Sequence, residues 1–388
     1  MPAPRILFVN HGAVLGGGEL SLLDIVRHTA SRARVALLSP GPLQARLERE
    51  GVPTLLLATS PAVLNTRRES SSLSWSAVSG TAGVAIRLAR AVAPDELLYA
   101  NSQKAFVVAA LAARLRRRPL LWHLRDVLSP EHFSRRNIRL VVNLANRCTA
   151  RVIANSEATA EVFVAAGGRA DKVVVVPSGV DPTPFRAAGQ EDPRELRRAL
   201  GIPDSSRLVV GLFSRVAPWK GQHVAIEAMA RLPGATLLVV GAPLFGEVAY
   251  AEELTGLVAR MGLGDRVKLL GFREDIPSLM RAVDVVVHTS LAPEPFGRVL
   301  VEAMLMERPV IATDAGGARE IVQDGVTGLL IPPGRPDHLA EALGRLLEDS
   351  AMRGEMGRRG RERAERHFTL VPTLNALDDL ITSVASGR

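Results

Sequence analysis

The sequence predicts an α/β protein built on two doubly wound parallel sheets, and three observations carry that prediction. Short, continuously apolar runs alternate with helix-periodic stretches along the whole chain, the pattern of buried parallel strands joined by crossover helices. A break rich in proline, Pro177-Ser-Gly-Val-Asp-Pro-Thr-Pro184, divides that series in two. The 388 residues exceed what one hydrophobic core usually supports, so two domains of similar size are expected.

The first half opens on the apolar run Ile6 to Asn10, continues through Gly16, Gly17 and Gly18, and enters the periodic stretch Glu19 to Thr29. A strand, a glycine-rich loop and a helix are expected there. Further strands are expected at Val35 to Leu38, Thr54 to Leu57, Glu96 to Ala100, Leu120 to His123, Val152 to Asn155 and Val173 to Val176. The serine-rich stretch Thr66 to Ser76 reads as a mobile loop. Leu140, Val141, Leu144, Ala145 and Cys148 recur at helical spacing and read as a buried helix face.

In the second half the strands are expected at Leu208 to Phe213, Thr236 to Val240, Val267 to Leu270, Val283 to His288 and Pro309 to Thr313, with helices such as Gln222 to Arg231 between them. The tail from His338 onward reads as helices rich in Arg and Glu. The expected division is therefore an N-terminal domain over 1–180 and a C-terminal domain over 181–369, with a last helix over 370–388 packing back on the first. Ligands of such sheets bind beyond the carboxyl ends of the strands, which places a substrate in a cleft between two facing Rossmann-like domains.

Composition narrows the class. The chain is 47% hydrophobic and 23% charged, which fits a folded globular enzyme and excludes a disordered or fibrous one. No signal-peptide pattern and no run of apolar residues long enough to span a bilayer is present, so a cytoplasmic location is expected. Cys148 is the single cysteine, which rules out an internal disulfide and a Cys/His zinc cluster.

The positive charge is concentrated in one half. Residues 1–186 hold 24 Lys and Arg against 13 Asp and Glu, whereas the remainder holds 24 against 27. Arg114, Arg116, Arg117 and Arg118, with Arg135, Arg136 and Arg139, carry much of the excess. Such a half should meet an anionic partner, a membrane surface or a phosphorylated acceptor, unless it is merely a solvated arginine-rich surface. Nucleic acid is disfavoured, because aromatic residues make up only 4% of the chain and no nucleic-acid-binding motif is present.

The chemistry sits in the second half. The run Leu208 to Phe213 leads directly into Ser-Arg215-Val-Ala-Pro-Trp-Lys220-Gly, two cations at the ligand-binding edge of a sheet and suited to a diphosphate. The run Val283 to His288 leads into Thr-Ser-Leu-Ala-Pro-Glu294-Pro-Phe296-Gly297-Arg298-Val299-Leu-Val-Glu302. Its Pro295 and Gly297 should open a helix whose first amides, Phe296 to Val299, can bind a phosphate oxygen. Carboxylates on either side can accept hydrogen bonds from sugar or ribose hydroxyls.

These motifs, with Pro309-Val-Ile-Ala-Thr-Asp-Ala-Gly-Gly317 and Glu320-Ile-Val-Gln-Asp-Gly-Val-Thr-Gly328, resemble the retaining glycosyltransferases of family four, which have the GT-B fold. The resemblance covers the whole chain and is densest from Val176 to Leu347. It implies that Arg215 and Lys220 neutralise the diphosphate of a nucleotide-sugar donor, that Glu302 binds its ribose, and that Glu294 holds its sugar. By the same resemblance the loop Gly271 to Ile276, with Phe272, reads the base, Gly17 and Gly18 approach the phosphates and acceptor, and His123 lies near the reacting sugar. Pro295 and Arg298 replace the small and aliphatic residues common in the family, and Arg298 adds a phosphate contact or changes donor preference.

The resemblance further implies a metal-independent, retaining transfer with no cofactor, to a saccharide or lipid-linked acceptor. No two aspartates stand two positions apart, so the Asp-x-Asp metal motif of the other major glycosyltransferase fold is missing. Competing readings are a nucleotide-sugar epimerase or a phosphorylase on the same fold, and a non-catalytic basic protein binding membrane or nucleic acid.

Overall fold

The computed structural model of the chain describes residues 3–12, 15–59, 75–244 and 246–387. It divides into two compact units, Met1–Gly179 with Leu370–Arg388, and Val180–Thr369.

In the first unit, seven strands are found among the described residues: β1 (Arg5–Asn10), β2 (Ala33–Leu37), β3 (Thr54–Leu56), β4 (Glu96–Ala100), β5 (Leu120–Leu124), β6 (Arg151–Ala154) and β7 (Val173–Val175). They pair in parallel in the order β3-β2-β1-β4-β5-β6-β7. The strand order reverses between β1 and β4, and that switch point is where ligands of open α/β sheets bind. Side chains alternate across the pleat, so each strand feeds two cores. Leu7 and Val9 with Leu98 and Trp122 pack on one side against helices α3 (Trp75–Ala91), α4 (Gln103–Arg116) and α5 (Arg135–Cys148). Ile6 and Phe8 with Tyr99 and Leu121 pack on the other side, against α1 (Gly17–His28) and α2 (Pro42–Arg49). Helix α6 (Glu157–Ala165) precedes β7.

Among the described residues the second unit carries six parallel strands in the order β10-β9-β8-β11-β12-β13. These are β8 (Leu208–Phe213), β9 (Ala235–Val240), β10 (Val267–Gly271), β11 (Val285–His288), β12 (Val310–Thr313) and β13 (Gly328–Ile331). Its helices are α7 (Thr183–Ala188), α8 (Pro193–Ala199), α9 (Gln222–Met229), α10 (Val248–Arg260), α11 (Ile276–Ala282), α12 (Arg298–Leu305), α13 (Ala318–Ile321), α14 (Pro336–Glu348) and α15 (Ser350–His367). The last helix, α16 (Leu370–Ala385), belongs to the first unit. It buries Leu374, Leu377 and Ile381 in the core that holds Ile6 and Phe8, and Thr373 Oγ1 donates to the Pro177 carbonyl at 2.8 Å.

Several sequence expectations need correction. Gly17 and Gly18 are not in a loop: Gly16 is the extended cap of α1, and the Leu20 amide already bonds to the Gly16 carbonyl at 2.9 Å. Leu140 is 43% exposed, because α5 turns Ile138, Val141, Val142 and Ala145 into the core instead. Strand β13 was not foreseen, since four residues directly after a glycine turn give no periodic signal. The expected loop Thr66 to Ser76 lies outside the described residues except for Trp75 and Ser76, which open α3.

Candidate active site

Strands β8 and β11 are neighbours, so the loops leaving their carboxyl ends lie side by side. The first loop is braced by Gln222, whose Nε2 donates to Ser214 Oγ and to the Arg215 carbonyl, each at 2.9 Å. Trp219 gathers both expected cations. The Arg215 guanidinium carbon lies 5.4 Å from the ring centroid and Lys220 Nζ lies 4.2 Å from it, within cation–π range. The second loop is tied to the first: Thr289 Oγ1 donates to the carbonyls of Lys220 and Gly221 at 3.0 and 2.9 Å, and the Leu291 amide donates to Trp219 O at 2.7 Å.

This clamp brings Lys220 and Glu294 together. Lys220 Nζ donates to Glu294 Oε1 at 2.6 Å and to Oε2 at 2.7 Å. Ser290 Oγ donates to Oε2 at 3.1 Å, and His288 Nε2 lies 3.4 Å from the same oxygen. Burial alone would push the Glu294 carboxyl up. The charge of Lys220, the hydrogen bond and charge of His288, and the Lys220 hydrogen bond outweigh it and hold the group well below the usual carboxylate range. The carboxylate is therefore ionised and aimed before any ligand arrives.

The backbone of Glu294 is fixed as well. It forms a parallel bridge with Gly316, and the Gly317 amide donates to Glu294 O at 2.9 Å. Gly316 has φ +58°, and a Cβ there would stand 2.4 Å from Glu294 O, so the close approach needs glycine. Gly297, at φ +107°, caps α12 in a backbone conformation outside the helix. The helix therefore begins at Arg298, later than expected, and its first-turn amides are those of Arg298 and Val299. Phe296 is not among them; its ring is buried against Phe368, with centroids 5.9 Å apart. Arg298 Nε lies 3.4 Å from Glu302 Oε1 one helical turn on.

Phe272 and Ile276 stand apart from this cluster, at the end of β10 and separated from β8 by β9. Phe272 is 66% exposed, while Ile276 opens α11 and packs on the core.

In the first unit His123 is buried inside β5 rather than at its end. Its Nδ1 lies 2.5 Å from Tyr99 Oη and 3.1 Å from Arg125 Nη2. Burial, then the charge of Arg125, hold its pKa well below the ordinary histidine value. Arg125 Nε donates to Asn101 Oδ1 at 2.7 Å, Asn101 Nδ2 donates to Asn10 Oδ1 at 3.1 Å, and Asn10 Nδ2 donates to Glu19 Oε1 at 3.2 Å. Asn101 Nδ2 also reaches the Gly18 carbonyl at 3.2 Å. Burial raises the Glu19 carboxyl above its usual value despite the Asn10 hydrogen bond.

Sequence reasoning missed His288, Ser290, Thr289 and Trp219, and in the first unit Asn10, Glu19, Tyr99, Asn101 and Arg125. One signal was available: Asn10 and Asn101 are polar residues ending or just following apolar strands, beside a sheet's switch point. Among the described residues, no group of three or more His, Cys, Asp or Glu side chains is arranged to hold a metal ion.

Comparison with known proteins follows these two halves. The model described as Glycosyl transferases group 1 matches residues 192–363, and that described as Glycosyltransferase Family 4 matches residues 15–183. Anabaena HepE, solved in complex with UDP and glucose, is 40% identical with a TM-score of 0.88, over 98% of this chain and 100% of that one. The chain belongs to the family-four, group 1 glycosyltransferases. Its two Rossmann-like units are those of the GT-B fold. HepE in complex with UDP-glucose aligns over 99% of this chain and 100% of that one, with a TM-score of 0.86. A curated relative, D-inositol 3-phosphate glycosyltransferase of Mycobacterium tuberculosis, is 34% identical over 236 residues, 60% of this glycosyltransferase and 48% of the relative. The match thus spans about half the length of that curated relative.

Proposed function

We propose that this glycosyltransferase moves a hexose from a nucleoside-diphosphate sugar to a hydroxyl of a saccharide or lipid-linked saccharide, with retention of anomeric configuration and without a metal. The observation that carries the reading is the Lys220–Glu294 pair beside Arg215 and the α12 N-terminus: an ionised acceptor for sugar hydroxyls next to donors for a diphosphate. Two of the three Lys220 N–H bonds go to Glu294, and the third serves a phosphate oxygen. HepE was solved with UDP-glucose, which makes UDP-glucose the first donor to test.

In this reading Arg215, Lys220 and the amides of Arg298 and Val299 stabilise the charge that grows on the leaving diphosphate. The bond from the anomeric carbon to the diphosphate oxygen breaks, the acceptor oxygen bonds to that carbon on the same face, and the acceptor proton passes to the departing diphosphate. Glu302 binds the ribose, Phe272 and Ile276 flank the base, and Gly17 and Gly18 present the first amides of α1 to an anion. The first unit takes the acceptor.

Peripheral contact with an anionic membrane belongs to the same reading. Leu111, Leu115 and Leu140 are 37%, 63% and 43% exposed on α4 and α5, among the exposed Arg114, Arg116, Arg117, Arg135 and Arg139. Arg118 is turned away, its Nε donating to the Glu96 carbonyl at 2.9 Å. No helix among the described residues is long and apolar enough to cross a membrane. Replacing both exposed arginine clusters by Ser should reduce binding to anionic liposomes, and unchanged binding would sink the membrane contact.

The deciding experiment is a panel of nucleotide sugars incubated in EDTA with a glycan acceptor, following nucleoside diphosphate release by wild type and Glu294→Ala. Metal-independent release from one donor, lost in the variant, supports the reading. Conversion of the donor sugar without any acceptor would indicate an epimerase instead, and no binding of any donor would indicate a non-catalytic protein.

A further inference from the structure

We infer that Arg125 and Tyr99 are positioning residues that lock His123 as its Nε2–H tautomer, so that this histidine meets substrate as a hydrogen-bond donor and not as a base. The inference rests on the reading that His123 contacts substrate, but its first part, the lock, stands on geometry alone. A guanidinium has five N–H donors and no acceptor, so the Nδ1 that lies 3.1 Å from Arg125 Nη2 must present its lone pair. Tyr99 Oη, 2.5 Å from the same Nδ1, then donates as well. The imidazole proton is left on Nε2, which is buried and has no hydrogen-bond partner among the described residues.

Arg125 cannot easily turn away from this task. Its Nε is held by Asn101, which is held in turn by Asn10 and by the Gly18 carbonyl, so one chain of hydrogen bonds runs from the first turn of α1 across β1 and β4 to the end of β5. Tyr99 is fixed from its other side by Phe8 of β1, ring centroids 4.9 Å apart. The charged and titratable groups around His123 are thus Arg125 and Tyr99, with Glu19 of α1 reached through Asn10 and Asn101. The unpartnered Nε2–H is a buried polar group awaiting an acceptor, and a hydroxyl or carbonyl oxygen of substrate supplies one. The same arrangement denies His123 the acceptor's proton: Nδ1 is occupied, Nε2 already carries hydrogen, and a second proton would stand beside the Arg125 cation. Burial and that cation both depress the histidine's proton affinity, in agreement.

The test uses the full-length protein with 15N-labelled histidine. Long-range proton–nitrogen spectra distinguish a protonated from an unprotonated ring nitrogen, and loss of one spin system in His123→Gln assigns it. The expected result without substrate is a protonated Nε2 and an unprotonated Nδ1 that do not change from about pH 5.5 to about pH 8, where an ordinary imidazole titrates. Arg125→Lys, which also only donates, should keep that tautomer, whereas Arg125→Met with Tyr99→Phe should give averaged tautomers. A proton on Nδ1, an imidazolium in that range, or an unchanged spectrum in the double variant would each overturn the inference, and the wild-type spectrum decides even if the double variant does not fold. Addition of UDP-glucose should shift the Nε2–H signal. A locked tautomer in a protein that binds no nucleotide sugar would fault the donor reading and leave the lock standing.

Discussion

The Lys220 ammonium bridges both carboxylate oxygens of Glu294, at 2.6 and 2.7 Å, across 74 positions of sequence. Neighbouring β8 and β11 bring the two loops together, and Thr289 ties one to the other. Both side chains are largely buried, 11% and 15% exposed, so each is the other's main compensation for lost water.

That dependence predicts a non-additive double-mutant cycle. Glu294→Gln leaves a buried ammonium without its counter-charge and should cost about 3–5 kcal/mol, as should Lys220→Met in the reverse sense. The double variant Lys220→Met/Glu294→Gln should cost clearly less than the sum. Trp219, in contact with Lys220, supplies a fluorescence readout of urea unfolding in the second unit; simple additivity would mean the two side chains are not paired in solution.

Gly316 sets where Glu294 sits. Gly316→Ala places a methyl 2.4 Å from the Glu294 carbonyl in a left-handed backbone, so the bridge must open. The expected outcome is a loss of turnover larger than the loss of stability, read by donor hydrolysis beside a thermal melt. A variant with wild-type kinetics would show that the bridge does not position the carboxylate.

Arg298 restrains Glu302 at 3.4 Å on the first turn of α12, beside the amides proposed to bind phosphate. Arg298→Leu removes a cation from that turn and releases the Glu302 carboxylate, which in the proposed donor pose adds negative charge near the diphosphate. KM for donor should rise roughly tenfold, about 1.4 kcal/mol, with kcat changed less. A fall in kcat at constant KM would instead place Arg298 in the transition state.

The sheets were legible in the sequence because buried parallel strands are continuous apolar runs, and the site loops were legible because they follow such runs directly. Lys220, Glu294 and Glu302 stood out by type and spacing. What did not show was tertiary: nothing local says that Glu294 and Lys220 share two hydrogen bonds, that Tyr99 and Arg125 converge on one histidine nitrogen, or that His288 and Ser290 stand under the same carboxylate. The helix start at Arg298 was misplaced because Gly297 reads equally well as a first-turn residue and as a left-handed cap. Leu140 was misplaced because helical periodicity gives a stripe's width but not its orientation to within one residue.

The buried state of His123 predicts an acid-sensitive stability. In the folded protein its pKa lies well below the ordinary value, through burial first and the Arg125 charge second. In the unfolded chain it titrates at about 6.5. Above that pH both states hold a neutral ring and the group adds no pH dependence. Below it the unfolded chain binds a proton that the folded chain does not, so stability falls as pH drops, at up to about 1.4 kcal/mol per pH unit. Glutamine at position 123 removes this term, while Glu19, raised by burial, and Glu294, depressed, are common to both proteins and cancel in the difference. The stability of wild type minus that of His123→Gln, from urea unfolding, should therefore be flat between about pH 8 and 7 and decline between about pH 6.5 and 5. A difference constant across the whole range would mean that the ring accepts a proton in the folded state as readily as in the unfolded one, and the geometry at Nδ1 would then have been lost in solution.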